Sequence, residues 1–298
     1  MASAITTLPP DRLAPLADAY ARARRAKQLQ TIVGAVILIG CIAASLVVAE
    51  VKPDVLITNF GRFTTYIGRI FYLDSGQLVF SDIYGTKDSW YWGLGKWAKL
   101  IGETLIIAYL GTVIGAIGAF LMCFLAASNL VTNRITLFAA RRFLEFCRTV
   151  PELVFALTFV VAFGLGPLPG VLAIAIHTLG ALGKQFAEVV ENIDMKPFEG
   201  VTSTGGTWTE AVRFSAVPQV VSNFASYGLM RFEVNVRGAA IMGFVGAGGI
   251  GQELLSAIRK FYYSDVSAML VMIIVTVFVI DMVTERIRHT LLGQERAR

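Results

Sequence analysis

The chain has 298 residues, of which 55% are hydrophobic and 16% are charged, and its formal net charge at pH 7 is +5. Because soluble domains contain about 25% charged residues, there are too few charges here to cover a water-facing globule, and most of the surface must face lipid. The same composition excludes a disordered chain, and the small positive excess does not indicate nucleic-acid binding. Three scattered cysteines exclude a disulfide framework and a zinc or dithiol centre.

Six transmembrane helices are predicted from the apolar runs, since each bilayer-crossing helix needs about 20 mostly apolar residues. Four runs are nearly free of charge: residues 31–49, 104–133, 214–230 and 266–283. A further run, residues 153–183, is broken at 164–170 by glycines and prolines through which a helix cannot continue. We interpret this run as two helices joined by a tight loop, which brings the total to six.

The placement of Lys and Arg predicts the orientation, because cytoplasmic loops of membrane proteins are enriched in these residues. Basic residues precede the first span and follow the second, fourth and sixth spans. In chain order they are Arg12, Arg22, Arg24, Arg25, Lys27, Arg134, Arg141, Arg142, Arg148, Lys184, Lys196, Arg213, Arg286, Arg288, Arg296 and Arg298. With six spans, all four basic regions fall on one side, so both termini are predicted to be cytoplasmic.

The segment between the first two spans is predicted to lie outside, because long loops cross the membrane largely regardless of their charge. Its residues Phe60, Phe63, Ile67, Ile70 and Phe71 share one helical face, which predicts a helix lying in the outer interface of the bilayer. The aromatic residues that follow predict a membrane-interface belt. They are Trp90, Tyr91, Trp92 and Trp97, with Tyr262 and Tyr263 before the last span.

Two groups of glycines predict close backbone packing. Gly111, Gly115 and Gly118 lie on one side of the second span, where small residues let helices approach. The glycine-rich segment 238–252 is a poor helix candidate, and part of it fits the pattern G-x-G-x-x-G. A dinucleotide site would also need a preceding strand, which this position between two membrane spans does not offer. We therefore interpret the pattern as a tight turn, formed by Gly246, Gly248, Gly249 and Gly251.

Motifs of common enzyme classes do not occur in the sequence: H-E-x-x-H, G-x-S-x-G and the phosphate-binding G-x-x-x-x-G-K-[ST] are all absent. The chain is therefore predicted not to be an enzyme and to bind no cofactor itself. If it uses ATP, a partner must supply the ATPase.

The polar stretch 194–218 is predicted to be a cytoplasmic loop with two short helices, broken at Gly205 and Gly206. Pro218 is predicted to start the next span, where its missing N–H has no cost. The stretch has the spacing E-G-V-x-x-x-G, then nine residues, then S-A-V-P.

This spacing resembles the E-A-A-x-x-x-G-x(9)-I-x-L-P loop of ABC importer permeases. Glu199, Gly205 and Pro218 match its key positions, whereas Gly200, Val201, Ser215 and Val217 replace other motif residues. In that family the loop forms a coupling helix that inserts into a groove of the ATPase subunit. The resemblance therefore implies an ATPase-coupling role for Glu199, Gly200, Val201, Gly205, Val217 and Pro218.

A second block narrows the resemblance to one family. Residues 229–237 and 243–254 look like the phosphonate importer permease family, as do residues 163–167 and 176–178. The similarity covers roughly residues 100–290 and is densest towards the end of that range.

Membership of that family would imply an all-α integral membrane protein with six transmembrane helices, the type I ABC importer permease fold and a cytoplasmic coupling helix. It would also imply a multi-pass protein of the bacterial inner membrane with several partners. These are two ATP-binding subunits, a second permease subunit, identical or not, and a periplasmic or extracellular solute-binding protein. ATP and Mg would be bound by the partner ATPase, and the machine would import phosphonates or related phosphorus oxyanions by alternating access.

The predicted organisation has four parts. They are a cytoplasmic N-terminal segment (1–30), the first transmembrane helix with the external segment and its interfacial helix (31–99), the permease transmembrane domain (100–290) and a cytoplasmic tail (291–298).

Ionisable residues inside predicted spans are costly and are expected to be functional. Those expected to line the substrate path or gate are Arg231, Glu233, Arg237, His177 and Lys184. Glu233 and Arg237 are four residues apart, so they could instead form a structural ion pair on one helix face. Lys184 and Glu188 could do the same.

Two of these residues have no obvious ionic partner nearby in the sequence. Arg231 is the better candidate for an anion contact, because the charge of an oxyanion must be offset locally along a path through lipid. His177 could contact substrate or could be a packing residue of an apolar helix.

Other functions remain open from the sequence. The same type of permease could carry phosphate, phosphite or an amino acid. A secondary carrier would be expected to show internal inverted repeats, and neither the E-x(5)-G block nor the G-A-G-G-I-G block recurs. An intramembrane enzyme would have to use the glycine-rich turn as a nucleotide site.

Overall fold

The computed structural model of the protein describes residues 10–50, 52–73, 76–85 and 89–295. Within these residues the fold is helical, and its only β contact is an isolated bridge between Tyr72 and Leu78. The all-α prediction is therefore confirmed. Residues 1–9 of the predicted N-terminal segment, and Arg296 and Arg298 of the predicted tail, lie outside the described residues.

Eleven α-helices follow one another along the described part of the chain. They are α1 (Pro10–Val48), α2 (Pro53–Ile70), α3 (Leu94–Ala126), α4 (Arg134–Thr149), α5 (Glu152–Phe163), α6 (Pro167–Glu191), α7 (Lys196–Ser203), α8 (Trp208–Ala211), α9 (Val217–Met242), α10 (Ile250–Arg259) and α11 (Tyr263–Glu295).

The chain divides into two compact units, Met1–Thr65 and Tyr66–Arg298. In the first unit, α1 contains a candidate span, Ala19–Val48, whose side chains are all exposed, as expected of a helix that faces lipid. The amphipathic segment that was predicted to lie in the interface is helical, although Phe71 comes just after the last residue of α2.

The second unit supplies the other candidate spans. Leu94–Ala126, Pro167–Glu191 and Tyr263–Thr290 are each long and apolar enough to cross a bilayer. Two further candidates are helix pairs with a sharp bend: α4 with α5, bent by 84°, and the helical stretch containing α9 with α10, bent by 48°. By length and composition, the described helices thus provide four spans, or six if each bent pair crosses once.

The third span differs from the prediction. α5 has 12 residues, and at about 1.5 Å per residue it is too short for a hydrocarbon core about 30 Å thick. The preceding residues 134–149, expected to be a basic loop, form α4 instead, and Pro151 separates the two helices. The predicted loop at 164–170 is shorter than expected, because α6 already begins at Pro167.

Two other predicted boundaries are wrong. α3 ends at Ala126, so residues 127–133 form a turn rather than the end of the second span. The segment 238–252 was predicted to be a poor helix candidate, but α9 continues to Met242 and α10 begins at Ile250. Only the central part of this segment is not α-helical, and it begins with a 3₁₀ turn, Gly243–Val245.

Pro218 is the second residue of α9, close to its predicted place at the start of the span, but the helical backbone does not begin there. The backbone between α8 and α9 stays helical through a π-helical turn, Val212–Ala216. Pro218 has no N–H to donate to the carbonyl of Phe214, four residues earlier, and the lost hydrogen bond favours a local widening of the helix.

Glycines set the distance between α6 and two of its neighbours, α3 and α4. A Cβ added at Gly115 of α3 would lie 2.6 Å from the carbonyl oxygen of Ala175, and the other two predicted glycines of α3 face α6 equally closely. A Cβ added at Gly180 of α6 would lie 2.7 Å from the carbonyl oxygen of Leu144 on α4. The predicted close packing of the second span is confirmed, and α6 is the central helix of the unit.

The aromatic-belt prediction is wrong for two tryptophans. Trp90 and Trp97 are only 7% and 1% exposed, and both pack in a cluster with residues of α10 and α11. The indole nitrogen of Trp90 donates to Ser267 Oγ at 2.9 Å. Trp92 is half exposed and donates to Asp265 Oδ1 at 2.9 Å. Trp90 and Trp92 therefore attach the segment before α3 to α11, and Trp97 packs the first turn of α3 against the same cluster.

Candidate functional site

The 194–218 loop contains two short helices separated by a glycine pair, as predicted. Gly205 has a φ of +88°, a conformation that strains any residue with a Cβ. Gly206 is needed for a different reason, since a Cβ there would lie 2.8 Å from the carbonyl oxygen of Val201. The sequence motif identified the first of these glycines only.

The second short helix, α8, is fixed by its first residues. Thr207 and Glu210 form a capping box, in which the Thr207 backbone N–H donates to Glu210 Oε2 at 2.7 Å and the Glu210 backbone N–H donates to Thr207 Oγ1 at 3.4 Å. The indole of Trp208 donates to the carbonyl oxygen of Leu130 at 2.9 Å. The loop is thereby attached to the turn that follows α3.

Gln219 ties the beginning of the loop to its end. Its side-chain oxygen accepts from the backbone N–H of Asp194 at 3.0 Å. Its amide nitrogen donates to the carbonyl oxygens of Asp194 at 3.1 Å and Ser215 at 2.9 Å. These three hydrogen bonds join the end of α6 to the beginning of α9. No sequence motif indicated them.

A second tie joins α3, α4 and α6 at the same end of the protein. Glu191 Oε1 accepts from the backbone N–H and the hydroxyl of Ser128 at 2.8 and 2.7 Å, and it forms an ion pair with Arg141. Arg141 Nε also donates to the carbonyl oxygen of Ala126 at 2.9 Å. The helix ends that carry the 194–218 loop are therefore bound to one another.

Most residues predicted to contact an ATPase subunit lie at the surface. Glu199, Gly200, Gly205 and Pro218 are exposed, and Val201 and Val217 are half-buried. In the part of the chain that the structure describes, the Glu199 carboxylate has no hydrogen bond or ion pair. A firmly held loop thus presents an unpaired carboxylate to its surroundings.

Three polar side chains from three helices meet near the middle of α6, and we call them the Arg231 cluster. Arg231 of α9 donates a hydrogen bond to His177 Nδ1 of α6, and His177 Nδ1 lies 3.7 Å from Glu152 Oε2 of α5. All three side chains are half-buried. Among the described residues, Arg231 Nε has no hydrogen-bond partner although it is buried.

Glu152 is a member of this cluster that the sequence did not reveal. It stands directly after Pro151, at the bend between α4 and α5, and the break separates it from Arg148, the charged residue four positions earlier. The structure makes room for it at Gly238, where a Cβ would lie 2.6 Å from Glu152 Oε1. The only signal in the sequence was a carboxylate at the edge of an apolar run.

Asn235 lies one helical turn after Arg231 and is completely buried. Its side-chain nitrogen donates to Thr112 Oγ1 at 2.8 Å and to Thr178 Oγ1 at 2.9 Å, which links α9 to α3 and α6. Its Oδ1 is buried without a partner among the described residues. The sequence analysis quoted Asn235 within a family motif but gave it no role.

The other predicted ionisable residues are in ion pairs away from the Arg231 cluster. Arg237 pairs with Glu233 on its own helix and with Asp281 Oδ2 of α11 at 3.0 Å. Lys184 lies 3.7 Å from Glu188. The pairing alternative is thus the arrangement observed, with Asp281 as a partner that the sequence did not indicate.

The glycine-rich segment forms the predicted tight turn. Gly246, Gly248 and Gly249 all have positive φ. The prediction is wrong for Gly251, which lies in the first turn of α10, where a Cβ would collide with the carbonyl oxygen of Ala240. The turn is held by α3, since Thr104 Oγ1 accepts from the backbone N–H of Ile250 at 2.9 Å. These contacts use the first N–H groups of α10, which a nucleotide site would have to leave free.

The model of one protein family matches residues 111–291; its description is "Binding-protein-dependent transport system inner membrane component". The phosphite transport system permease protein PtxC of Stutzerimonas stutzeri is 38% identical over 189 residues, which are 63% of this chain and 69% of that protein. The phosphate-import permease protein PhnE of Mycolicibacterium smegmatis is 40% identical over 195 residues, 65% of this chain and 37% of that protein.

The fold is similar to that of a solved transporter. An inward-facing structure of the MetNI methionine ABC transporter superposes with a TM-score of 0.55 at 16% sequence identity, covering 65% of this chain and 95% of that chain. At this level of identity the similarity shows the fold alone.

Proposed function

The chain belongs to the family of binding-protein-dependent transport system inner membrane components, and we propose that it imports phosphonates or related phosphorus oxyanions as the permease subunit of an ATP-driven ABC transporter. Its fold is that of a type I ABC importer permease. The observation that carries the substrate class is Arg231, a half-buried cation in the transmembrane bundle with a buried and unpartnered Nε in the described structure.

Charge favours this class of substrate. A phosphorus oxyanion carries one or two negative charges, and arginine binds such groups through a planar fork of N–H donors. The relatives named for phosphite and phosphate import support the same chemical class. In this proposal Arg231 and His177 line the path, whereas Glu233, Arg237 and Lys184 hold the helices that form its gate.

ATP hydrolysis by the partner subunits would be coupled to the substrate path through the 194–218 loop. In our proposal two ATP-binding subunits, each with its own ATP and Mg, contact Glu199, Gly200, Val201, Gly205, Val217 and Pro218. A second permease subunit and an external solute-binding protein complete the machine. Because the loop is tied to α3, α6 and α9, a movement of the ATPase would be passed directly to the helices that carry the Arg231 cluster.

Uptake by the complete transporter tests the substrate class. Proteoliposomes would contain the permease with its ATPase and, on the outside, its solute-binding protein. We expect ATP-dependent, saturable uptake of methylphosphonate, phosphite or phosphate and no uptake of methionine. Uptake of methionine, with none of the three phosphorus oxyanions, would overturn the proposal.

The orientation is a separate part of the proposal. We place both termini and the 194–218 loop in the cytoplasm of a bacterial cell, in a multi-pass inner-membrane protein. A cysteine introduced at Ser81 should then react with an impermeant maleimide on intact spheroplasts, and one at Ser203 should not. The reverse labelling pattern would contradict this orientation.

A further inference from the structure

Arg148 lies deeper in the bundle than its sequence position suggests. It is in the last turn of α4, beside the bend that leads into α5. A Cβ added at Gly180 would lie 2.5 Å from the backbone nitrogen of Arg148, and Gly180 is near the middle of the 25 residues of α6. Arg148 was expected in a cytoplasmic loop, but the structure brings it to the level of His177, one turn away on α6.

Arg148 and Arg231 line the same cavity. The cavity has a volume of about 180 Å³ and is open on one side. The polar residues that line it are Arg148, Arg231, Gln185 and Tyr227, and no Asp or Glu among the described residues lines it. At about 30 Å³ per water molecule, the space is sufficient for a small oxyanion with some of its water.

Arg148 differs in this respect from Arg141 and Arg142 of the same helix. Arg141 pairs with Glu191, and Arg142 lies 2.5 Å from Glu145. Within the described residues Arg148 has no ion-pair partner. Arg148 is exposed, so its side chain is open to a ligand. A cation at membrane depth is costly, and it is retained where it lines a path or contacts a charged ligand.

We propose that Arg148 and Arg231 form one oxyanion subsite, with Gln185 and Tyr227 as its neutral hydrogen-bonding groups. Two guanidinium groups repel each other when the cavity is empty, and an anion between them removes that repulsion. Arg148 can donate two parallel hydrogen bonds to the oxygens of a phosphonate or phosphate group. Arg231, which also donates to His177, adds its charge and its remaining N–H donors. The proposal deepens the proposed function, on which it rests for the identity of the anion.

The surroundings of the subsite favour release towards the 194–218 loop. A second cavity, of about 560 Å³, shares Gln185 and Tyr227 with the first and extends to Asp194 and Gln219. Its lining carries no Lys or Arg among the described residues and includes the carboxylates of Glu188 and Asp194. An anion that leaves the two arginines would therefore meet no cation among the lining residues. Lys184, beside the groove, is paired with Glu188, so the groove would hold the anion only weakly.

Binding to the purified complex tests the subsite directly. The permease–ATPase complex in nanodiscs, without the solute-binding protein, is titrated with methylphosphonate, and broadening of its ³¹P NMR signal is measured. We expect Arg148→Gln and Arg231→Gln each to weaken binding about tenfold or more. Arg148→Lys keeps the charge but loses the fork, so it should weaken binding less.

The control is Arg142→Gln, which removes an arginine of the same helix that lies outside the cavity, and it should bind like the wild type. Tyr227→Phe removes one hydroxyl and should weaken binding by about threefold, which keeps the test valid if Arg148→Gln fails to assemble. Equal binding by wild type, Arg148→Gln and Tyr227→Phe would overturn the subsite.

The uptake assay separates this proposal from the proposed function. If Arg148→Gln proteoliposomes import methylphosphonate with wild-type KM, the subsite is wrong and the function stands. If the wild type binds methylphosphonate through Arg148 but imports none of the phosphorus oxyanions, the function is wrong and the subsite stands.

Discussion

Glu191, at the end of α6, uses one carboxylate oxygen for contacts with Ser128 and Arg141, whereas Arg231, nearer the middle of the bundle, has a buried Nε without a partner among the described residues. The same difference in hydrogen bonding is seen in other polar residues of the two regions. Gln219 near the loop makes three hydrogen bonds, while the buried Asn235 has an unpartnered Oδ1. Asn129 Oδ1 is an exception at the loop end.

The difference shows how the two regions can serve one machine. A buried polar group without a partner costs free energy, so the middle of the bundle gives up stability that the loop end retains. Groups with unused hydrogen-bonding capacity can exchange partners when a ligand passes, and fully bonded groups cannot do so without loss. The loop end is thus suited to transmit movement, and the Arg231 cluster is suited to bind and release.

The largest expected effect comes from the backbone of the loop. Gly205→Val places a β-branched residue at a φ of +88°, which costs about 1 kcal/mol or more and changes the angle between α7 and α8. We expect membrane insertion to persist, while uptake is abolished and less ATPase co-purifies with the permease. Glu199→Lys should have the same effect by reversing the charge of an exposed and unpaired carboxylate.

Gly102→Ala is the matched control for the loop variant. Gly102 has an ordinary φ, and nothing lies within 4 Å of the Cβ that alanine would add, so uptake should remain normal. Normal uptake by both Gly205→Val and Glu199→Lys would show that the 194–218 loop does not pass movement of the ATPase to the transmembrane helices.

The next effect concerns the ion pairs between α9 and α11. Arg237→Gln leaves Glu233 and Asp281 without their shared cation, two carboxylates in a poorly solvated place. Breaking a fully buried pair costs about 3–5 kcal/mol. Because the Arg237 side chain is 50% exposed, we expect a smaller loss, about 1–3 kcal/mol, seen as a lower melting temperature and a lower yield of the complex.

A variant that lacks all three charges distinguishes a structural role of these residues, as ion pairs, from a role in anion binding. The triple variant Glu233→Gln, Arg237→Gln and Asp281→Asn has no stranded carboxylate, so its melting temperature should recover relative to Arg237→Gln. If the single and triple variants melt alike, these residues do not act as a structural group.

A smaller effect is expected at the tie of the loop end. Glu191→Gln keeps an oxygen that can accept from Ser128 but loses the ion pair with Arg141, whose side chain is 41% exposed. We expect about 1 kcal/mol less stability and less substrate imported per ATP hydrolysed, because α3 and α4 no longer follow the loop as closely. Glu145→Gln breaks an exposed pair on α4 and should change neither quantity. Equal coupling in both variants would contradict the proposed transmission.

Much of the fold was predictable because lipid imposes strong patterns on a sequence. Apolar runs gave the long helices, and the positions of Gly111, Gly115 and Gly118 gave the α3–α6 contact. The predictions that were wrong concern local features of the fold. The bend at Pro151 turns an apparent loop into α4, and the burial of Trp90 depends on a packing partner in α11. Neither is encoded by hydrophobicity alone.

The candidate site was predictable only in part, for a similar reason. Spacing revealed the Glu233–Arg237 and Lys184–Glu188 pairs, because four residues make one helical turn. Glu152, Arg148 and Asp281 meet their neighbours through tertiary packing, and nothing in their local sequence indicates those contacts. Arg231 was identified from its lack of a local partner, and the structure supplied the residues around it.

The smallest expected effect concerns Asn235, a buried residue near the middle of the bundle with an unpartnered oxygen. Thr112→Val is nearly isosteric and removes the acceptor of one Asn235 hydrogen bond, while the bond to Thr178 remains. Hydrogen bonds between membrane helices contribute about 0.6 kcal/mol on average, so the melting temperature should fall slightly. Asn235→Leu, in contrast, also removes the unpartnered Oδ1 and can be neutral or stabilising. If Asn235 serves exchange of partners, this variant melts no lower than the wild type but imports more slowly. A lower melting temperature with normal uptake would mean that Asn235 only holds α3, α6 and α9 together.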